Sequence, residues 1–263
     1  MGHGILALAP LLMRHPIGIV VLLVIIGGSI VTGMFGTRDN DAPQVTQTTG
    51  ATVNDEGRQF VGYVLDDAQK TWQQVFAKGG RQYRNAKLVL FSEATSTACG
   101  YGQAATGPFY CPSDERVYID LSFYDDLARR FGAKGDFAQA YVIAHEIGHH
   151  VQNLVGIERQ VRQLQQARPG QANALSVRME LQADCFAGLW GHTTARRNLL
   201  EPGDVEEGLQ AAASIGDDAI QQSASGRVRP ETFTHGTAAQ RVEWLRRGLQ
   251  ASRVEDCDTF SAQ

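Results

Sequence analysis

Ala140-Tyr-Val-Ile-Ala-His-Glu-Ile-Gly-His-His-Val-Gln-Asn153 holds His145, Glu146 and His149 in the order H-E-x-x-H. As a helix at 3.6 residues per turn, the stretch stacks His145 and His149 on one face, where both rings can grip a single zinc ion. Glu146 stands about 100° round from His145, where it can reach a water on the metal without ligating it. With 7 histidines and 12 glutamates in 263 residues, roughly one shuffled sequence in a hundred carries this pattern by chance. The surroundings therefore decide its meaning.

Those surroundings predict a buried helix. Asp136 is placed to N-cap it, Gln139 to complete a capping box, and Gly156 to end it as a C′ glycine. Phe137, Tyr141, Val142, Ile143, Ala144, Ile147, Val151 and Leu154 are apolar on most sides. Two histidines and a glutamate in such a helix are costly to bury unless something satisfies them, and a metal does so.

A catalytic zinc needs a third protein ligand. Leu175-Ser-Val-Arg-Met-Glu-Leu-Gln-Ala-Asp-Cys-Phe-Ala-Gly-Leu-Trp190 reads as a second buried helix with Glu180 and Asp184 on one face, at i and i+4. Glu180 is the candidate third ligand. Asp184 is the candidate carboxylate that accepts the other N–H of a ligating imidazole. The plainer reading, a solvated acidic pair, conflicts with Ala183, Phe186, Ala187 and Trp190 around them.

The rest of the chain is read around these helices. Ile17 to Phe35 contains no charged residue, with Arg14 and Arg38 just outside; as a helix it rises about 28 Å, close to the hydrocarbon thickness of a bilayer. A cleaved signal peptide fits less well, because the apolar run is long, the preceding segment is hardly basic and no clear A-x-A site follows. The expected organisation is a short cytoplasmic N-terminus at 1–16, a transmembrane helix at 17–36, a flexible tether at 37–55, and a zinc metallopeptidase domain at 56–263. Cys99, Cys111, Cys185 and Cys257 all follow the apolar run. Pairing 99 with 111 closes a short Gly-containing loop, and pairing 185 with 257 staples the C-terminus to a helix. Such disulfides place the domain outside the cytoplasm, on the periplasmic side of the cell membrane; the alternative is four buried thiols in a cytoplasmic domain. A net charge of -4 provides no basic footprint for nucleic acid.

Helical spacing runs from Glu56 to Ala77, and short strands are expected at Lys87–Phe91 and Val117–Leu121. The second is expected at a sheet edge, open to an extended peptide. Ser122 with Asp125 predicts a helix through Phe131, and Asp204 with Glu207 predicts another to about Ile215. Gly216-Asp-Asp218 reads as a solvated turn, without the spacing of a calcium loop. Thr237 with Gln240 caps a last helix, just after His235. The fold class is α+β: a small sheet beside the active-site helix, then a helical C-terminal half.

H-E-I-G-H with Glu180-Leu-Gln-Ala-Asp184 resembles the gluzincin arrangement of thermolysin-type and prenyl-protease-type enzymes. Gly107–Pro112, Val117–Asp126, Gly135–Gln139, Arg178–Gly188 and Phe233–Thr237 resemble more closely the bacterial neutral zinc metallopeptidases (YpfJ-like), a likeness over about residues 56 to 260 that includes all four cysteines. It implies a zincin-like domain, one catalytic zinc and a peptide or protein substrate. In the prenyl-protease type, a T-H-x-x-x-x-x-R pattern matches His235 and Arg241; the resemblance implies that His235 donates to the oxyanion and Arg241 supports the site. Two other classes fit the same residues, a catalytically idle zinc-binding or chaperone-like membrane module and a zinc amidase acting on cell-wall material.

Overall fold

The computed structural model describes residues 55–103, 107–130, 132–133 and 135–261. The expected N-terminus at 1–16, transmembrane span at 17–36 and nearly all of the tether at 37–55 lie outside them. Among the described residues no helix is long and apolar enough to cross a membrane.

The elements in chain order are α1 (Asp55–Lys78), β1 (Lys87–Phe91), β2 (Ala94–Thr97), β3 (Gly100–Gln103), β4 (Phe109–Cys111), β5 (Arg116–Asp120), α2 (Ser122–Arg130), α3 (Asp136–Val155), α4 (Ile157–Ala167), α5 (Ala172–Arg196), α6 (Asp204–Ser214), α7 (Asp217–Ser225) and α8 (Ala238–Gln250). This is α+β: a small sheet region early, with helices before and after it. The H-E-x-x-H stretch lies wholly in α3, and Glu180 and Asp184 lie in α5.

β1, β5 and β4 form one mixed sheet in that order, with β1 parallel and β4 antiparallel to β5. The expectation of an edge strand at Val117–Leu121 is therefore corrected. β5 is central, both of its sides are paired, and Val117, Tyr118 and Ile119 are buried. β4 is the edge tied to α3, because Tyr110 Oη meets His150 Nδ1 at 2.9 Å and accepts a hydrogen bond from Asn153 at 2.9 Å. β2 and β3 pair as a separate antiparallel hairpin, of which β3 lies within the 99–111 segment read as a loop. Cys99–Cys111 closes that segment, and Cys185–Cys257 fastens the C-terminal segment to α5.

Three further expectations change. The N-cap of α3 is Gly135, without a side-chain cap bond, rather than Asp136; at φ 106° it holds a backbone conformation open to glycine. The N-cap of α6 is Gly203, again without a side-chain cap, and Asp204 instead accepts the Glu201 N–H. Asp217 and Asp218 do not form a solvated turn but open α7. By contrast, Gly156 ends α3 in the left-handed conformation and the Thr237–Gln240 capping box forms as its spacing predicts.

The core sits where α1, α3, α5 and α8 meet. Trp72 of α1 packs edge-on against Phe186 of α5 at 5.0 Å, and Phe137 of α3 stacks on Trp190 of α5 at 5.8 Å. Two glycine positions set how closely α5 is approached. A Cβ at Gly148 would stand 3.0 Å from the Ala183 backbone, and one at Gly248 would stand 2.1 Å from the Cys185 carbonyl oxygen. The missing side chains let α3 and α8 lie against α5, which brings His145, Glu180, Asp184 and Arg241 within reach of one another.

Candidate metal centre

His145 and His149 project from consecutive turns of α3 toward Glu180 of α5. His145 Nε2 lies 3.1 Å from Glu180 Oε2 and 3.2 Å from His149 Nε2, and His149 Nε2 lies 3.5 Å from Glu180 Oε1. The edge of a tetrahedron with zinc–ligand bonds of about 2.0–2.1 Å is roughly 3.3–3.4 Å. The separations, with each carboxylate oxygen of Glu180 facing one histidine, are close to that edge, so the three residues fit the protein ligands of one zinc ion. A second group of acids, Asp136, Asp204 and Glu207, also comes close together, but it has no histidine and Asp136 is exposed.

Each imidazole is held from behind. The carboxylate of Asp184 can only accept, so the 2.8 Å contact between His145 Nδ1 and Asp184 Oδ1 puts the proton on Nδ1. His149 Nδ1 meets Gln152 Oε1 at 2.9 Å. Both rings thus turn Nε2 toward the other and toward Glu180, an arrangement of acceptors that calls for a cation between them.

The electrostatics agree. Burial raises the Asp184 carboxyl, but Arg241 and His145 outweigh it and hold the group below the ordinary aspartate range. For Glu180, burial is outweighed by the two histidines and the carboxyl falls well below the ordinary range. Burial works against a charged His145, yet Asp184 and Glu180 push its pKa up to about 10. Asp184 and Glu146 are buried and Glu180 is half-buried, against one buried guanidinium, so the cluster attracts further positive charge, which a divalent cation among the three ligand residues would supply. Glu146 differs from both acids: burial raises its pKa, only partly opposed by His149 and His145.

Arg241 is buried, not a surface residue. Nε and Nη2 donate to Asp184 Oδ2 and Oδ1, each at 2.9 Å, Nη2 also donates to Tyr141 Oη at 3.1 Å, and Nη1 donates to the Ile215 carbonyl at 3.3 Å. Tyr141 donates to Asp184 Oδ1 at 2.6 Å. His235 is placed differently. Its side chain is 53% exposed, and it is not among the three residues whose ligand atoms converge. Its loop lies on α5: a Cβ built at Gly236 would be 3.2 Å from Val177 and 3.4 Å from Leu181, on either side of Glu180 in sequence. Asp217 fastens this loop, since its Oδ2 accepts the N–H groups of Thr234, His235 and Gly236 at 2.7, 2.7 and 3.0 Å.

From the sequence, Tyr141, Gln152, Gln182 and Asp217 receive no role in the site. Spacing holds a signal for two of them, because Tyr141 is four residues before His145 and Gln152 three after His149, on the same helical stripe. Asp217 carried no such signal, since its partners belong to a loop 17 to 19 residues later.

Residues 2–260 match the family described as "Putative neutral zinc metallopeptidase", and the chain belongs to that family. It is 50% identical over 248 residues to "Uncharacterized protein YpfJ" of Escherichia coli (strain K12), covering 92% of this chain and 86% of that protein. It is 40% identical over 250 residues to "Uncharacterized protein Rv2575" of Mycobacterium tuberculosis (strain ATCC 25618 / H37Rv), covering 90% and 83%. No solved structure matches the chain.

Proposed function

We propose that this member of the neutral zinc metallopeptidase family is a membrane-anchored, gluzincin-type endopeptidase on a zincin-like domain, with zinc held by His145, His149 and Glu180. The supporting observation is the convergence of those three side chains at 3.1 to 3.5 Å, each imidazole backed at its other nitrogen. Zinc bound there supplies Lewis-acid polarisation of the scissile carbonyl and a lowered pKa for water.

Glu146 is the general base. It takes the proton of the attacking water and delivers it to the leaving amine. Burial raises its pKa above the ordinary glutamate value, which makes it a stronger base than an exposed carboxylate. Asp184 orients His145 and is itself held by Arg241 and Tyr141. His235, on the loop that Asp217 fastens, is the oxyanion donor. An extended peptide is expected along β4, the sheet edge joined to α3.

The anchor rests on the uncharged run from Ile17 to Phe35. The extracytoplasmic placement rests on that run together with the two disulfides, both joining cysteines that follow it.

The test is metal analysis of the purified full-length chain with a peptide-library digest, for the parent and Glu146→Gln. Expected are one zinc per chain in both proteins and a loss of cleavage by roughly a hundred- to ten-thousand-fold in the variant. Equal cleavage by the variant overturns the mechanism, and absence of zinc from the parent overturns the ligand set. A parent that leaves every peptide intact but releases cell-wall fragments is an amidase; one that holds zinc and cleaves neither is a binding module.

A further inference from the structure

Behind His149 runs a chain of amides that ends on the protein backbone. Gln152 and Gln182 are buried in the interface of α3 and α5. Gln152 Oε1 meets His149 Nδ1 at 2.9 Å, Gln152 Nε2 donates to the Met179 carbonyl at 2.8 Å and to Gln182 Oε1 at 3.1 Å, and Gln182 Nε2 donates to the Cys257 carbonyl at 3.1 Å.

The direction of this chain is not free. A backbone carbonyl can only accept, so the Cys257 carbonyl requires the NH2 end of Gln182. That turns Gln182 Oε1 toward Gln152, which must present its own NH2. The Met179 carbonyl makes the same demand independently. Both N–H bonds of Gln152 are then committed, and the atom left facing His149 is an oxygen. An oxygen opposite Nδ1 requires the proton there, and Nε2 keeps its lone pair for the ligand group. Two carbonyls thus define which nitrogen of His149 is free, one on the Glu180 helix and one on the disulfide-bonded Cys257.

We propose that Gln152 and Gln182 are positioning residues for the metal centre. Through them the Met179 and Cys257 carbonyls fix the His149 tautomer and thereby raise zinc affinity. The proposal rests on the reading of His149 as a zinc ligand and goes beyond it by naming what sets that ligand's state. The signal is absent from the H-E-x-x-H motif, because Gln182 and Cys257 are 30 and 105 residues away from Gln152.

Zinc itself is the probe. Its dissociation constant is measured on the full-length chain by competition with a chromophoric chelator for the parent, Gln152→Leu, Gln152→Glu and Gln182→Met. Leucine removes the oxygen opposite Nδ1, and binding is expected to weaken roughly 10- to 100-fold. Glutamate keeps an oxygen opposite Nδ1 but has no N–H for the Met179 carbonyl or Gln182, so binding is expected to weaken clearly less than with leucine. Methionine at 182 breaks only the second link, and a loss of a few-fold is expected, since Met179 still orients Gln152. Parental affinity in Gln152→Leu, or equal weakening by leucine and glutamate, overturns the proposal. If Gln152→Leu does not fold, Gln182→Met decides, and parental affinity there overturns it. A parent that binds no zinc removes the ligand assignment and this inference with it, whereas a zinc-binding parent whose variants match it removes the inference alone.

Discussion

Asp184 and Arg241 meet through two side-by-side hydrogen bonds of 2.9 Å, both side chains being almost completely shielded from solvent. The pair joins α5 to α8 and leaves Asp184 Oδ1 directed at His145 Nδ1. Arg241 therefore acts on the candidate metal centre from one residue further out. Its planar fork suits this role because it fills both carboxylate oxygens and still reaches Tyr141 and the Ile215 carbonyl.

Removing Arg241 leaves a buried, uncompensated carboxylate. Arg241→Met is expected to cost about 3–5 kcal/mol of stability, read from the urea midpoint. Arg241→Lys is expected to recover only part of that loss, since a single ammonium cannot bridge both oxygens. A lysine variant as stable as the parent would show that charge alone, without the fork, holds Asp184.

Zinc should stabilise the folded chain through His149. At free zinc 100-fold above the dissociation constant, the gain is about 2.7 kcal/mol. It should appear as a rise in melting temperature over the chelator-treated protein, disappear in His149→Ala and persist in Glu146→Gln. A zinc-induced rise that survives in His149→Ala places the binding elsewhere.

The parts of this centre legible in the sequence are those encoded by local spacing. His145, His149, Glu180 and Asp184 each follow from the period of one helix, and Gly156 and Thr237 from the chemistry of helix ends. Apart from the two cysteine pairs, pairing over longer distances was not legible. β5 lies between β1 and β4 because Lys87 aligns with Arg116, 29 residues away, and alternation along one strand does not report how many neighbours it has. Asp217 reads like any turn aspartate until the Thr234–Gly236 loop supplies three N–H groups. Tyr141 reads as one more apolar core residue until Arg241 and Asp184 are brought to its hydroxyl.

Asp67 links α1 to α5 away from the metal centre and gives a pH signature of its own. It accepts from the Trp190 indole at 2.8 Å and from Arg197 Nη2 at 2.7 Å. Burial raises its pKa, but Arg197 and Trp190 outweigh burial and hold it below the ordinary value of 3.8. A carboxyl whose folded pKa is depressed releases its proton more readily in the folded state, so its contribution is complete above the unfolded value and is lost as pH falls through the folded one. The stability gap between the parent and Asp67→Asn should therefore stay constant from pH 7 to about pH 5 and close as the solution is taken below 3.8. A gap that does not change with pH would assign the stabilisation to hydrogen bonding independent of charge.

Gly248 sets two principles against each other. It lies in α8, where alanine is a better helix former by about 1 kcal/mol, so propensity alone predicts that Gly248→Ala stabilises the protein. The added Cβ would stand 2.1 Å from the Cys185 carbonyl oxygen and 2.8 Å from Gly188 Cα, both backbone atoms that no rotamer change can move. α8 must then shift off α5, and overpacking of this kind costs about 1–3 kcal/mol or more. The packing cost should win, lowering the urea midpoint. Because α8 also carries Arg241, the shift should lengthen its bonds to Asp184 and weaken zinc binding in the same variant. A midpoint above the parent's would mean that the helices yield at little cost, and that the close crossing is not what holds Arg241 in place.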